Sequence, residues 1–162
     1  MRVLQVSLGA AAAVFTDPEA AYTVPVGAAT LAAMIVSDPP RPEELTNAIG
    51  IFMDHIEDVT REVPGSTFAD AVELRGPGLQ ALVDTFEGGH APLPFVFERD
   101  HAEEIYRTVA TESAAQRRRN PGLPPDEVHH VLGVACAVVA TMRALQIVEL
   151  TVTGDDVDGL GA

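Results

Sequence analysis

Residues 126–146 read as one helix whose middle, Val131-Leu132-Gly133-Val134-Ala135-Cys136-Ala137-Val138-Val139-Ala140, holds no charged or strongly polar side chain. An amphipathic helix can lie on a surface, but one that is apolar on every side has to be enclosed. The run is shorter than the roughly 18–20 apolar residues that cross a bilayer, so the enclosure has to be protein. The rest of the 162-residue chain must supply it. A chain of this length has room for one substantial core rather than two. Residues 1–162 therefore read as a single domain, with a polar Gly/Asp tail over residues 153–162.

The enclosing layers are legible upstream. Val3-Leu4-Gln5-Val6-Ser7-Leu8 and residues 20–26 carry strand patterning, and residues 11–15 offer a partner between them. With turn chemistry at Thr16-Asp17-Pro18-Glu19, this opening reads as a meander. An Ala-rich segment from Gly27 to about Val36 is stopped by Ser37-Asp38-Pro39-Pro40, because the residue before a proline avoids the helical region. Leu45, Ile49, Phe52, Met53 and Ile56 recur at three- and four-residue spacing and predict an amphipathic helix over residues 42–63. Residues 69–74 follow as a strand, Arg75-Gly76-Pro77-Gly78 as a turn and 79–86 as a helix. Residues 87–99 read as an irregular connection, 100–118 as a helix and 147–152 as the closing strand. The order β-β-β-α-α-β-α-α-α-β predicts an α/β fold. Helices pack on a mixed sheet that has antiparallel strands at one end and parallel crossovers after them.

Charge narrows the function. Ten Lys and Arg against 24 Asp and Glu leave a formal net charge of −14, which repels polyanions and excludes nucleic acid as a partner. The same field opposes bare polyphosphate or nucleotide unless a basic cluster offsets it, and Arg117, Arg118 and Arg119 form the candidate anion patch. The lone Cys136, among valines and alanines, reads as a buried hydrophobe rather than a nucleophile. No membrane partner is expected. Gln5, Ser7 and Gly9 interrupt the first fifteen residues too early for a signal sequence, which places the expected location in the cytoplasm. His129 and His130 stand beside Asp126 and Glu127, but adjacent side chains on a helix diverge by about 100°. No metal site and no cofactor are assigned. His55 belongs to a charged helix face, and no Gly-x-Ser-x-Gly elbow surrounds Ser113.

Three stretches, in order, resemble the second domain of the Ppx/GppA exopolyphosphatases. Val24-Pro25-Val26-Gly27-Ala28-Ala29-Thr30-Leu31 with Ser37-Asp38-Pro39-Pro40-Arg41-Pro42-Glu43-Glu44 is similar to the family's "slplGavRLte…sdPpspee". Arg117-Arg118-Arg119-Asn120-Pro121-Gly122-Leu123-Pro124 is similar to "eRrripGLpp", and residues 132–159 to "ilaGaailaaimralgvdeltvsdrGlreG". The resemblance implies a ribonuclease-H-like domain, one half of an actin-like ATPase fold in which two domains flank a phosphate-binding cleft.

It also implies where phosphate chemistry would sit. The family's "DiGGGSTE" loop corresponds to Ser7-Leu8-Gly9-Ala10-Ala11-Ala12-Ala13-Val14, in which only Gly9 survives. Its second phosphate loop corresponds to Arg75-Gly76-Pro77-Gly78-Leu79, where Pro77 removes a hydroxyl and a backbone donor. Ser7, Gly9, Gly76 and Gly78 are thus remnant phosphate-loop positions. The family's arginine after the "Gav" turn is Thr30; an arginine and a glycine of "RaDvIlaGa" are Glu127 and Val134. The family's catalytic base lies in its first domain, and no catalytic residue is assigned to this chain.

Losses confined to polar positions, with the apolar scaffold kept, point to a non-catalytic homologue acting as an interaction or regulatory domain. The alternative is one subunit of a split phosphohydrolase acting on polyphosphate or guanosine pentaphosphate, completed by a separate first-domain protein. A face that a first domain would cover, made more apolar at residues 10–14, predicts self-association as a two-fold homodimer.

Overall fold

A computed structural model of the chain describes residues 1–156. Strand β1 (Val3–Leu8) turns Leu4, Val6 and Leu8 inward and Gln5 outward, the period of two that a strand with one buried face requires. β2 (Ala13–Thr16) and β3 (Ala21–Val24) complete an antiparallel meander with it. The turn between them is built by Asp17, whose Oδ1 accepts from the backbone N–H groups of Glu19 and Ala20 at 2.8 and 2.9 Å. Its other oxygen takes Arg2 Nη1 at 2.7 Å. Two helices follow, α1 (Ala28–Ala33) and α2 (Pro42–Glu62). Pro42 opens α2 where its missing N–H costs nothing, and the Glu44 carboxylate reaches back to the N–H of Arg41 at 3.0 Å.

Strand β4 (Ala71–Arg75), α3 (Leu79–Glu87), β5 (Phe95–Glu98), α4 (Arg99–Thr111), α5 (Ala114–Arg117), α6 (His130–Leu145) and β6 (Glu149–Gly154) complete the described chain. The strand order is β3-β2-β1-β4-β6-β5. β1, β4 and β6 run parallel, whereas β5 pairs antiparallel with β6.

The mixed α/β sheet expected from the sequence is present, with four differences. The stretch 87–99 holds a sixth strand, β5, seated by Phe95 and Phe97. Both stack edge-on against Phe86, with ring centroids 6.2 and 5.6 Å away. The helix expected over 100–118 breaks at Glu112, because the Ser113 hydroxyl accepts from the N–H of Gln116 and starts α5 afresh. Residues 125–127 form a separate 3-10 turn, so the apolar helix begins at His130. β6 extends through Gly154, which takes residues 153 and 154 out of the expected polar tail. The remainder of that tail, from residue 157, lies outside the described residues.

α6 is the centre of the core. Every residue from Val131 to Met142 is buried, and α1, α2, α3 and α4 all pack on it. Cys136 lies within this run, and burial pushes its thiol up to about 12, which keeps it protonated. α1 makes the closest approach: a Cβ on Gly133 would stand 1.9 Å from the carbonyl oxygen of Ala28. No helix among the described residues is long and apolar enough to cross a membrane.

Gly133→Ala therefore drives a methyl into backbone and should cost about 3 kcal/mol, a fall in Tm of roughly 6–12 °C for a chain of this size. Gly50→Ala, on α2 with nothing within 4 Å of the new methyl, should instead raise Tm, by the roughly 1 kcal/mol helix preference of alanine. Thermal unfolding of the two variants beside the parent checks both signs.

Candidate functional site

The carboxyl ends of β1, β4 and β6 lie at one edge of the sheet. In open α/β sheets this is the edge where ligands are held, and helix N-termini aimed at it attract anions. α1, α3 and α6 all begin there. The structure places Ser7 and Gly9 at the end of β1 and Gly76 and Gly78 in the turn from β4 to α3, so all four sequence-assigned positions meet at this edge. The turn and β1 are in contact: a Cβ on Gly76 would stand 2.1 Å from the carbonyl oxygen of Leu8. Gly78, at φ 94°, needs the left-handed region that glycine alone occupies at no cost.

What the backbone donors do decides the chemistry. In a phosphate-binding loop these N–H groups point at the ligand; here the chain uses them itself. The N–H of Gly9 bonds the carbonyl of Ala12 at 2.9 Å. The carbonyls of Gly9 and Ala10 accept from Ala28 and Ala29, each at 2.9 Å, which closes the start of α1. At α3, Gly76 donates to Gly154, Leu79 donates to Gly76, and Pro77 has no N–H to offer. The remaining donors, Gly78 and Gln80, both bond Asp155 Oδ1, at 3.1 and 2.9 Å. A carboxylate from the far end of the chain thus sits where a helix N-terminus would hold an anion.

The rest of the edge is acidic. Glu127 has one carboxylate oxygen buried without a hydrogen-bond partner. Burial holds its pKa above the ordinary 4.5; Asp126 and Asp155 push the same way and His130 opposes them. His130 turns Nε2 toward the carbonyl of Pro77 at 3.3 Å, and its ring with Val134 fills the space over Gly78. His129 instead reaches the carbonyl of Ala32 at 2.7 Å, so the neighbouring imidazoles serve different helices. Among the described residues, no three His, Cys, Asp or Glu side chains converge as metal ligands do.

Arg117 leaves the expected anion patch. Its side chain is 2 % exposed and donates to the carbonyls of Val109, Glu112 and Val128 at 3.1, 2.6 and 2.8 Å. The end of α4 has carbonyls without helical partners, and a cation is favourable there. Arg117 therefore ties the end of α4 to the approach of α6. Arg118 and Arg119 are exposed, and among the described residues no hydrogen bond or ion pair joins them to the loops at 9–12 or 76–80. Sequence reasoning missed Asp155, whose contact with Gly78 spans 77 positions; the one local signal was Gly154-Asp155-Asp156 after a strand.

No family model matches the chain, and no curated protein does. Solved structures do. An exopolyphosphatase-like protein superposes with a TM-score of 0.86 at 15 % identity, over 97 % of this chain and 56 % of that one. The Aquifex aeolicus Ppx-GppA enzyme gives 0.81 at 16 %, over 97 % and 55 %. An exopolyphosphatase from Cytophaga hutchinsonii gives 0.72 at 11 %, over 96 % and 54 %. The chain has the α/β fold found in these Ppx/GppA structures, as the sequence resemblance implies, and spans little more than half their length.

Glu127 generates a test of its own. A carboxyl whose folded pKa is raised contributes stability that is present below the unfolded value and is lost as pH rises through the folded one. Glu127→Gln removes that loss. It should raise Tm near pH 7 relative to the parent, and the gain should vanish below about pH 4.5, where Glu127 is protonated in both states. Melting curves across this range check the crossover.

Proposed function

We propose that the chain is a non-catalytic relative of the exopolyphosphatases, acting as an interaction or regulatory domain. The observation that carries this reading is the Asp155 carboxylate on the N–H groups of Gly78 and Gln80. It takes the donors that a phosphate would need, and it adds a negative charge where phosphate would bring more. Ala10, Ala11, Ala12 and Ala13 support the same reading from the opposite lip, since none can hold a metal or donate to an anion through its side chain. The net charge of −14 works in the same direction at long range.

The chain spans 56 % of the exopolyphosphatase-like structure, so a separately supplied second part defines the competing reading, a split phosphohydrolase. Incubation of the purified protein with polyphosphate or guanosine pentaphosphate and divalent magnesium should release no phosphate above a blank. Inorganic phosphate should bind no tighter than about 1 mM, or −4.1 kcal/mol. Asp155→Ala should leave hydrolysis absent, because freed donors supply neither base nor nucleophile. Turnover by the chain alone would overturn the proposal; turnover only after a second chain is added would make this protein a subunit of a split enzyme.

A further inference from the structure

The strands turn one face into the core, with Leu4, Val6, Val72, Leu74, Phe97, Leu150 and Val152 buried on it, and the alternate residues of β4, β5 and β6, on the other face, are at most partly covered among the described residues. Strand pairing lays that face out in rows. Thr16, Gln5, Glu73, Thr151 and Val96 run side by side across it. Val3 beside Ala71 flanks the row on one side; on the other, Ser7 between Val14 and Arg75 is buried and bounds the open surface. Most of these side chains are small or β-branched, so the surface is flat enough for close approach.

Apolar side chains left in water mark it as a surface that is covered in use. Of the exposed large apolar side chains among the described residues, Val96 lies on the face itself at 49 %, and Met1, Phe68 and Val148 stand at its margin, just ahead of β1, β4 and β6; Val36 and Ile51 lie elsewhere. Shallow depressions open along the same margin, between Val3 and Thr16, between Ala71 and Thr151, and between Glu98 and Glu149.

Charge identifies the occupant. Glu98 and Glu149 are direct cross-strand partners on this face, and like charges placed opposite each other are destabilising. Arg99 and Asp100 beside them offset one another in charge. Glu73 adds a third carboxylate in the central row, and Arg75 is engaged by Asp156 through its Nε at 3.0 Å. A second copy of the chain would bring another −14 and set these glutamates against their own equivalents. A cationic partner relieves them.

We propose that the open sheet face docks an amphipathic helix of another protein, apolar over Ala71, Thr151 and Val96 and bearing Lys or Arg opposite Glu98, Glu149 and Glu73. The inference deepens the interaction role proposed above and rests on it for its setting, while its test involves no phosphate.

An 18-residue helical Leu/Lys model peptide and its Leu/Glu counterpart are the probes. The Leu/Lys peptide should bind and slow amide exchange in β4, β5 and β6, and the Leu/Glu peptide should not bind. Thr151→Arg and Glu149→Lys should each weaken binding at least ten-fold, whereas Glu57→Lys on α2 should leave it within two-fold. Glu149→Lys also breaks the like-charge pair, so its Tm should not fall, which separates lost binding from lost folding. The proposal is overturned if neither peptide binds, if protection maps elsewhere, or if Glu57→Lys weakens binding as much as Glu149→Lys. Light scattering that shows twice 17.1 kDa, with the dimer broken by Thr151→Arg, would make the occupant a second copy and equally overturn it.

Discussion

A helix with no exposed side between Val131 and Met142 sets the terms for the rest of the structure. Burying each valine or leucine of such a helix is worth about 1.5–3 kcal/mol, but only if other elements reach it from every direction. The sheet supplies one wall and α1, α2, α3 and α4 the others. α1 comes close enough only because residue 133 has no side chain. Arg117 closes the approach to α6 by satisfying carbonyls that the end of α4 leaves open. One buried helix thus explains the first of three adjacent arginines without any ligand: Arg117 is internal, and only Arg118 and Arg119 face solvent.

The same arrangement accounts for the state of the candidate site. Enclosing α6 between parallel strands brings the N-termini of α1, α3 and α6 to one edge, and a helix N-terminus that lacks an anion still has donors to satisfy. In this chain the carbonyls of Gly9 and Ala10 and the carboxylate of Asp155 satisfy them. The scaffold therefore needs no phosphate for completion. Glu127 shows the opposite condition, a carboxylate oxygen buried without a donor, and nothing at this edge replaces the positive charge that the family resemblance places at its position.

Legibility in the sequence followed the range of the interactions. Local periodicity was enough for β1, the meander, α2 and the burial of α6, because each depends on spacing within one segment. β5 was hidden by its length: Phe95-Val96-Phe97-Glu98 alternates as a strand should, but Pro92 and Pro94 stand just before it and its partner lies beyond α6. The four remnant loop positions were picked out by resemblance and share one edge of the sheet, yet their hydrogen bonding was invisible in the sequence. Arg117 read as surface because three adjacent arginines look alike until α4 ends beside one of them. Asp155 read as tail because its partners lie at Gly78 and Gln80, at the start of α3 and far back in the chain.

The two faces that this fold leaves for function have met different fates, and electrostatics separates them. At the edge, an internal carboxylate occupies the donors, and the −14 field repels the anions for which such an edge is suited. On the open sheet the same field draws cations, and the opposed Glu98 and Glu149 present two carboxylates with Arg99 and Asp100 beside them. A pair of like charges across two strands costs stability, and so does apolar surface left in water at Val96 and Val148. Both costs fall on or beside one face, and the occupant proposed for it, apolar in its centre and basic on its flank, would remove both. The two proposed roles thus rest on one charge pattern, which opposes anions at the edge and favours a basic occupant on the sheet.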